Sequence, residues 1–330
     1  MTWLTWRQFR AQTVVTVCAL ALLALYLVYL GNDMRDFYDT RVVNCAPQDC
    51  TLALDAFRDD YLDVVMLLGL ALIALPGLIG IFWGAPLVAR ELEERTDRLV
   101  WNQSVTRTRW LAVKLAVVGA ATAVVTGLFS LLLTWSASRY DQVFGERFAA
   151  MTFDSRNLVP VGYGLFAFAL GTVVGMLVRR TVPAMAVTLA VFAVLQVVVP
   201  VAVRQHLMPP VTATGTLDAA VFAQRIGLNL NDSGAFLRGY TVPGAWMLDE
   251  EYQLFKPDGT PYTEKDARSC MGAGSREETE ACTVAQKLTF EMTYHPRNRY
   301  WTFQWIELSG YLVLTALLTG FGFFWLRRRV

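Results

Sequence analysis

Six stretches of this chain stay apolar for about 20 residues, the length needed to cross a ~30 Å hydrocarbon layer. They cover 13–30, 64–83, 111–135, 158–178, 183–203 and 305–326. Between the second and third lies a charged island carrying Arg90, Glu91, Glu93, Glu94, Arg95, Asp97, Arg98, Arg107 and Arg109. Each such side chain costs about 2.5–3.5 kcal/mol at a bilayer centre, so the island belongs in water. Pro86 fits a first helical turn, and Val88, Leu92 and Leu99 follow at helical spacing. Glu91 with Arg95 and Glu94 with Arg98 are acid-first i,i+4 pairs, worth about 0.2–0.5 kcal/mol each. The pattern predicts a short amphipathic helix over 87–100, just under the membrane. A solvated loop helix lying on its own bundle or on headgroups is the plainer alternative.

The remaining polar and small positions refine this picture. In residues 1–12, Trp3, Trp6, Arg7 and Arg10 interleave aromatic and basic side chains, which suits an interfacial helix or simply a positive start to the first span. That span has no A-x-A cleavage site behind it and is long for a signal peptide. Residues 32–63 carry eight Asp and read as a solvated external loop. Pro76, Gly77, Gly80 and Gly84 predict a bend in the second span. Gly171 and Gly175 form a small-xxx-small pair suited to close helix contact. Gln196 in the fifth span, with Thr126 and Ser130 in the third, are candidates for lining a translocation path, with packing glue as the simpler role. Ionisable side chains are missing from the middle of every span, with Glu307 near the outer end of the last. Proton-coupled carriers and intramembrane proteases need such groups at the midplane, so both classes are disfavoured.

Composition agrees. Hydrophobic residues make up 55% of the 330, and the mean hydropathy is +0.38, high for a water-soluble protein. A net charge of +1 gives no reason to expect a nucleic-acid partner. Lysine and arginine placement sets the orientation. Arg7, Arg10, the island, Arg179, Arg180 and Arg327 to Arg329 fall on one side, and acids accompany the arginines of the other. Both termini are therefore expected inside. Cys18 lies within the first span, whereas Cys45, Cys50, Cys270 and Cys282 all fall outside. An even number in an oxidising compartment suggests two disulfides, most simply Cys45–Cys50 and Cys270–Cys282. A zinc site is the rival, weakened because neither His206 nor His295 flanks the cysteines. Residues 204–304 are read as a small α+β extracellular domain, with a short helix near 217–226, a hairpin over 245–263 and a helix over 276–292. Residues 305–330 form the sixth span and a basic end. The fold class is thus an all-α polytopic membrane protein with six transmembrane helices and one outer domain.

Nucleotide and catalytic signatures are absent: no G-x-x-x-x-G-K-[ST] loop, no H-E-x-x-H and no nucleophile–base pair. The island itself, residues 89–115, resembles the signature loop of ABC-2 type permeases, the membrane subunits of ABC exporters. Arg90-Glu91-Leu92-Glu93-Glu94-Arg95-Thr96 is similar to the family's R-E-x-E-x-G/T stretch. Val105-Thr106-Arg107-Thr108-Arg109-Trp110 with Lys114 is similar to its S-R-x-x-W-x-x-x-K run. The run from Tyr294 to Glu307 resembles one common in actinobacterial permeases of this kind, and the whole layout resembles the type V exporter fold.

The resemblance implies that residues 87–100 form a coupling helix, with Arg90, Leu92, Arg95 and Arg98 beside Glu91, Glu93 and Glu94 docking on a separate ATP-binding subunit. It implies two copies of that subunit, a second permease copy or a sister permease, and no catalysis by this chain. No cofactor would be bound here, ATP and Mg being held by the partner ATPase. The expected home is a bacterial cell membrane, and the expected cargo an amphipathic small molecule, lipid or peptide. The alternative from a different class is a membrane sensor or immunity protein that binds a ligand through its outer domain.

Overall fold

The computed structural model describes residues 2–45, 50–94, 106–144, 146–224, 226–231, 234–271 and 274–329, with the backbone alone for 2–17. It comprises two compact units, Met1–Arg204 with Trp301–Val330, and Gln205–Tyr300. Arg204 and residues 301–304, expected in the outer segment, therefore belong to the helical unit.

In the helical unit, α1 (Thr2–Phe37) is uninterrupted. Residues 1–12 are not set apart by any break, because the chain has neither glycine nor proline before Gly31. The side chains of Trp3, Trp6, Arg7 and Arg10 lie outside the described residues. Helix α2 (Thr51–Ile79) passes through a π-helical turn, Gly80–Gly84, into α3 (Ala85–Glu93). The joined helix is 43 residues long, about 65 Å at ~1.5 Å per residue, twice a hydrocarbon layer, so its polar ends stand outside one.

Two expectations are corrected here. Much of the acidic loop at 32–63 is helical, since α1 reaches Phe37 and α2 starts at Thr51. The island helix does not start afresh at Pro86 but continues the second span. In the π-turn the Ala85 N–H reaches back to Gly80 O, a register that accommodates the missing N–H of Pro86 one residue later. Glu94 closes α3, its N–H bonding Arg90 O. Residues 95–105, with Arg95 and Arg98, lie outside the described residues.

Next come α4 (Arg107–Ser136), α5 (Ser138–Val143), α6 (Ala150–Asp154), α7 (Val159–Val178) and α8 (Thr181–Val198). Further π-turns are Tyr38–Val42, after α1, and Val199–Val203, which holds Pro200, and the last helix is α12 (Tyr300–Arg329). Among the described residues, six helices are long and apolar enough to cross a membrane. Helix α7 is the hub: 78% of its apolar window is buried, against 11% for α8 and 17% for α12.

Its small residues explain why. A Cβ on Gly175 would stand 2.5 Å from Ala85 O, one on Gly84 2.6 Å from Phe168 O, and one on Gly171 would overlap Gly80 O. The glycine pair of the fourth span thus lets α7 touch the α2–α3 backbone within one chain. Two apolar clusters flank this contact. One joins Leu27, Leu30 and Met34 of α1 to Phe57, Leu72 and Leu133. The other joins Leu87 and Val88 to Trp110, Leu111, Phe168, Met176 and Leu326.

The second unit is a six-stranded antiparallel sheet, from β1 (Val211–Thr216) and α9 (Ala219–Phe222) through β2 (Gly227–Asn231), β3 (Gly234–Arg238), β4 (Trp246–Met247) and β5 (Glu251–Phe255). Helices α10 (Glu264–Met271) and α11 (Arg276–Ala285) precede β6 (Thr289–His295). The order is β1-β6-β5-β3-β2, with β4 also on β6. The expected hairpin is present, Phe255 bridging Pro261 across the Pro257–Gly259 turn.

The helix expected over 276–292 ends at Ala285. Lys287 turns the chain at φ 52°, and the alternation that follows buries Phe290 and Met292 at period two. Cys45–Cys50 and Cys270–Cys282 are both disulfides, each with Cα atoms 5.5 Å apart. No group able to hold a metal occurs among the described residues.

Gly171→Val should destabilise the helical unit by about 2–3 kcal/mol through overpacking, visible as a lowered unfolding midpoint in detergent. Gly310→Ala, where a Cβ meets nothing within 4 Å, should leave the midpoint unchanged. Equal behaviour of the two variants would refute the close α7 contact.

Candidate coupling site

Helix α3 turns Leu87, Val88 and Ala89 inward and leaves Arg90, Glu93 and Glu94 exposed, with Leu92 half-buried over the second cluster. The exposed side carries an i,i+4 pair, Arg90 Nε to Glu94 Oε1 at 2.9 Å, with side chains 71% and 53% exposed. At that exposure it contributes a few tenths of a kcal/mol and remains free to exchange partners.

The other two acids hold α3 in place. Lys114 of α4, buried, donates to Glu91 Oε1 at 2.5 Å and to Leu87 O at 3.1 Å. Its ammonium also lies 4.3 Å from the Trp110 ring centre. Glu93 Oε2 accepts from Thr181 N–H at 2.9 Å and from Thr181 Oγ1 at 2.8 Å. A carboxylate there answers the unpaired N–H groups and positive dipole end of α8. One short helix is therefore fastened to two spans. The seven residues predicted for coupling divide accordingly: Arg90 and Glu94 face outward, Leu92 packs, Glu91 and Glu93 are fasteners, and Arg95 and Arg98 fall outside the description. The sequence placed Lys114 in the same island, but its pairing across 23 positions was not readable there.

At the opposite ends of the spans lies a buried ionic cluster that the sequence did not single out. Arg204, following α8, is 1% exposed and grips Glu307 of α12 in two places, Nε to Oε2 at 2.8 Å and a terminal nitrogen to Oε1 at 3.0 Å. The same guanidinium bonds Asp154 of α6 and stacks 4.1 Å over Phe153. Tyr163 of α7 sits between the carboxylates, its oxygen 2.5 Å from Glu307 Oε1 and 3.0 Å from Asp154 Oδ1. Gln304 Oε1 accepts from Leu158 N–H and Val159 N–H, capping α7.

The middles of the spans carry no ionisable side chain, and these buried charges sit at their ends. Opposite charges beside the ends of consecutive spans were the one available signal. Two carboxylates share one guanidinium, so burial first, and then Glu307, push the Asp154 carboxyl up to about 6, with Arg204 opposing.

The remaining candidates are dispersed. Thr126 Oγ1 donates to Thr122 O at 2.9 Å and touches the place where Gly164 of α7 has no side chain. Ser130 Oγ donates to Asn157 O at 2.8 Å. Both are buried at the α4–α7 seam and act there as packing and hydrogen-bonding groups. Gln196 lies on α8, away from that seam, with both amide atoms buried and without a hydrogen-bond partner.

Apolar helices packed about a glycine-lined hub, with a charged helix fastened to two of them, define a multi-pass helical membrane protein. The chain belongs to the ABC-2 membrane transporter related family, whose model matches residues 17–204. The match takes in α3 and both of its fasteners. No curated protein and no solved structure matches the chain.

Two outcomes are expected. Glu91→Gln and Lys114→Met should each cost about 3 kcal/mol, and the double variant clearly less than their sum. A double-mutant cycle on unfolding midpoints measures this, and simple additivity would remove the fastener. Burial holds the Asp154 carboxyl up at about 6, above its ordinary 3.8, so stability present at low pH is lost as pH rises through that interval. Asp154→Asn should flatten the fall in unfolding midpoint between about pH 4 and 6.5, and an unchanged slope would assign it elsewhere.

Proposed function

We propose that this chain is the membrane-spanning permease subunit of an ATP-driven exporter that moves an amphipathic small molecule, lipid or peptide. The observation that carries the reading is α3: an extension of one span, fastened to two others through Glu91–Lys114 and Glu93–Thr181. Its one polar side, Arg90 and Glu94, is left open. A partner pressing there moves α3, and with it α4 and α8, as one body. The energy comes from two copies of a separate ATPase holding ATP and Mg. The second half of the pathway comes from another copy of this chain or a sister permease. Both termini and α3 face the cytosol of a bacterial cell, following the placement of Lys and Arg. The apolar lining of the spans favours amphipathic cargo over ions and sugars.

A second reading, ligand sensing through the sheet unit, is favoured by a groove of about 790 Å³ between α9 and α11, where Phe222 and Val284 meet Glu277 and Glu280. One experiment separates the two. The full chain is coexpressed with ABC ATP-binding subunits from its own source cell and captured from detergent. The charge swap Arg90→Glu with Glu94→Arg keeps a pair on α3 but inverts its open side. Capture of the ATPase should fall more than tenfold for the swap, with an unchanged unfolding midpoint. Undiminished capture would remove the docking role of α3, and no ATPase with the unaltered chain would favour sensing.

A further inference from the structure

Where α4 begins and α12 ends, a groove of about 580 Å³ opens between the two helices. Its apolar floor is lined by Ala112, Gly320, Phe323 and Phe324, and the polar part of its lining is Arg109, Arg327 and Thr108. Both arginines are exposed, and neither has a carboxylate partner among the described residues. The neighbouring acids that are described are engaged elsewhere, Glu91 by Lys114, Glu94 by Arg90 and Glu93 by Thr181. Among the described residues, two cations thus stand unneutralised over a floor that offers no hydrogen bonds. A nucleotide or sugar would leave its polar groups unmet on that floor. An anion with an apolar body would satisfy both parts. The floor also has room: a Cβ on Gly320 meets nothing within 4 Å, and Phe324, also lining it, is half exposed.

We propose that this groove holds an anionic phospholipid of the surrounding leaflet, its phosphate between Arg109 and Arg327 and its acyl chains along Phe323 and Gly320. Guanidinium forks match phosphate oxygens geometrically, and Thr108 adds a neutral donor. The bound lipid ties the start of α4, the span fastened to α3, to the end of α12. The site stands whether or not the chain exports anything.

The test uses the purified full chain in a zwitterionic detergent, with fluorescent phosphatidylglycerol titrated against phosphatidylcholine of the same chain length. Phosphatidylglycerol should bind more tightly. Arg109→Gln and Arg327→Gln should each lose about fivefold, the effect of roughly one surface charge on an anionic lipid. Gly320→Leu should weaken both lipids by filling the floor while both arginines remain. Arg328→Gln is the control, because that side chain stacks on Phe324 at 4.5 Å and does not line the groove. Its binding should be unchanged. Unfolding midpoints close to that of the unaltered chain show that the variants fold. Equal losses for Arg328→Gln would mean a diffuse charge effect and overturn the site. So would retention of phosphatidylglycerol by the Arg109→Gln/Arg327→Gln double variant. Displacement of the lipid by millimolar inorganic phosphate would show a free-anion site and overturn the assignment to lipid.

Discussion

Backbone-to-backbone contact between α7 and the α2–α3 junction sets the geometry of the helical unit. In lipid, apolar side chains gain little by leaving their surroundings, so helices associate through close van der Waals fit and hydrogen bonds. Gly80, Gly84, Gly171 and Gly175 supply that fit by removing the side chains that would hold the backbones apart. The π-turn belongs to the same contact, since its wider register lets the chain pass Pro86 and still continue as helix. The position of α3, and of every group on it, follows from this approach.

Charge does the fastening at both ends of the bundle. At one end Glu91 and Glu93 spend their carboxylates on α4 and α8, leaving Arg90 and Glu94 outward. At the other, Arg204 gathers Asp154 and Glu307 and so joins α6, the end of α8 and the start of α12. Buried pairs of this kind add less to stability than their number suggests, because desolvation offsets attraction, but breaking one strands a charge. They serve chiefly to hold a few helix ends together as one body.

The family match stops at Arg204. Of the two carboxylates that meet this arginine, Asp154 lies within the matched stretch and Glu307 beyond it, on α12. Helices α8 and α12 keep apolar side chains exposed along their length, Val182, Val194 and Val197 on one, Val313, Leu317 and Phe324 on the other. Surfaces of that kind meet lipid or another membrane helix.

How much was legible without coordinates can be argued from particular residues. The six spans, the hairpin before Pro261, both disulfide partners and the island with its family resemblance were all written in local pattern. Hydropathy length, turn residues and cysteine parity are properties of neighbouring positions. Long-range pairing was not legible. Lys114 and Glu91, Arg204 and Glu307, or Gly171 and Gly80 meet only because distant helices come together, and nothing in the intervening residues encodes that meeting. The period-two run from Thr289 was read as helix because its burial depends on the partner strands β1 and β5. By itself the sequence determined that the chain enters a bilayer, where it turns, and what kind of transporter part it resembles. Only the tertiary structure decided which charges hold the cross-piece and which stay free, because that outcome depends on distances across the bundle.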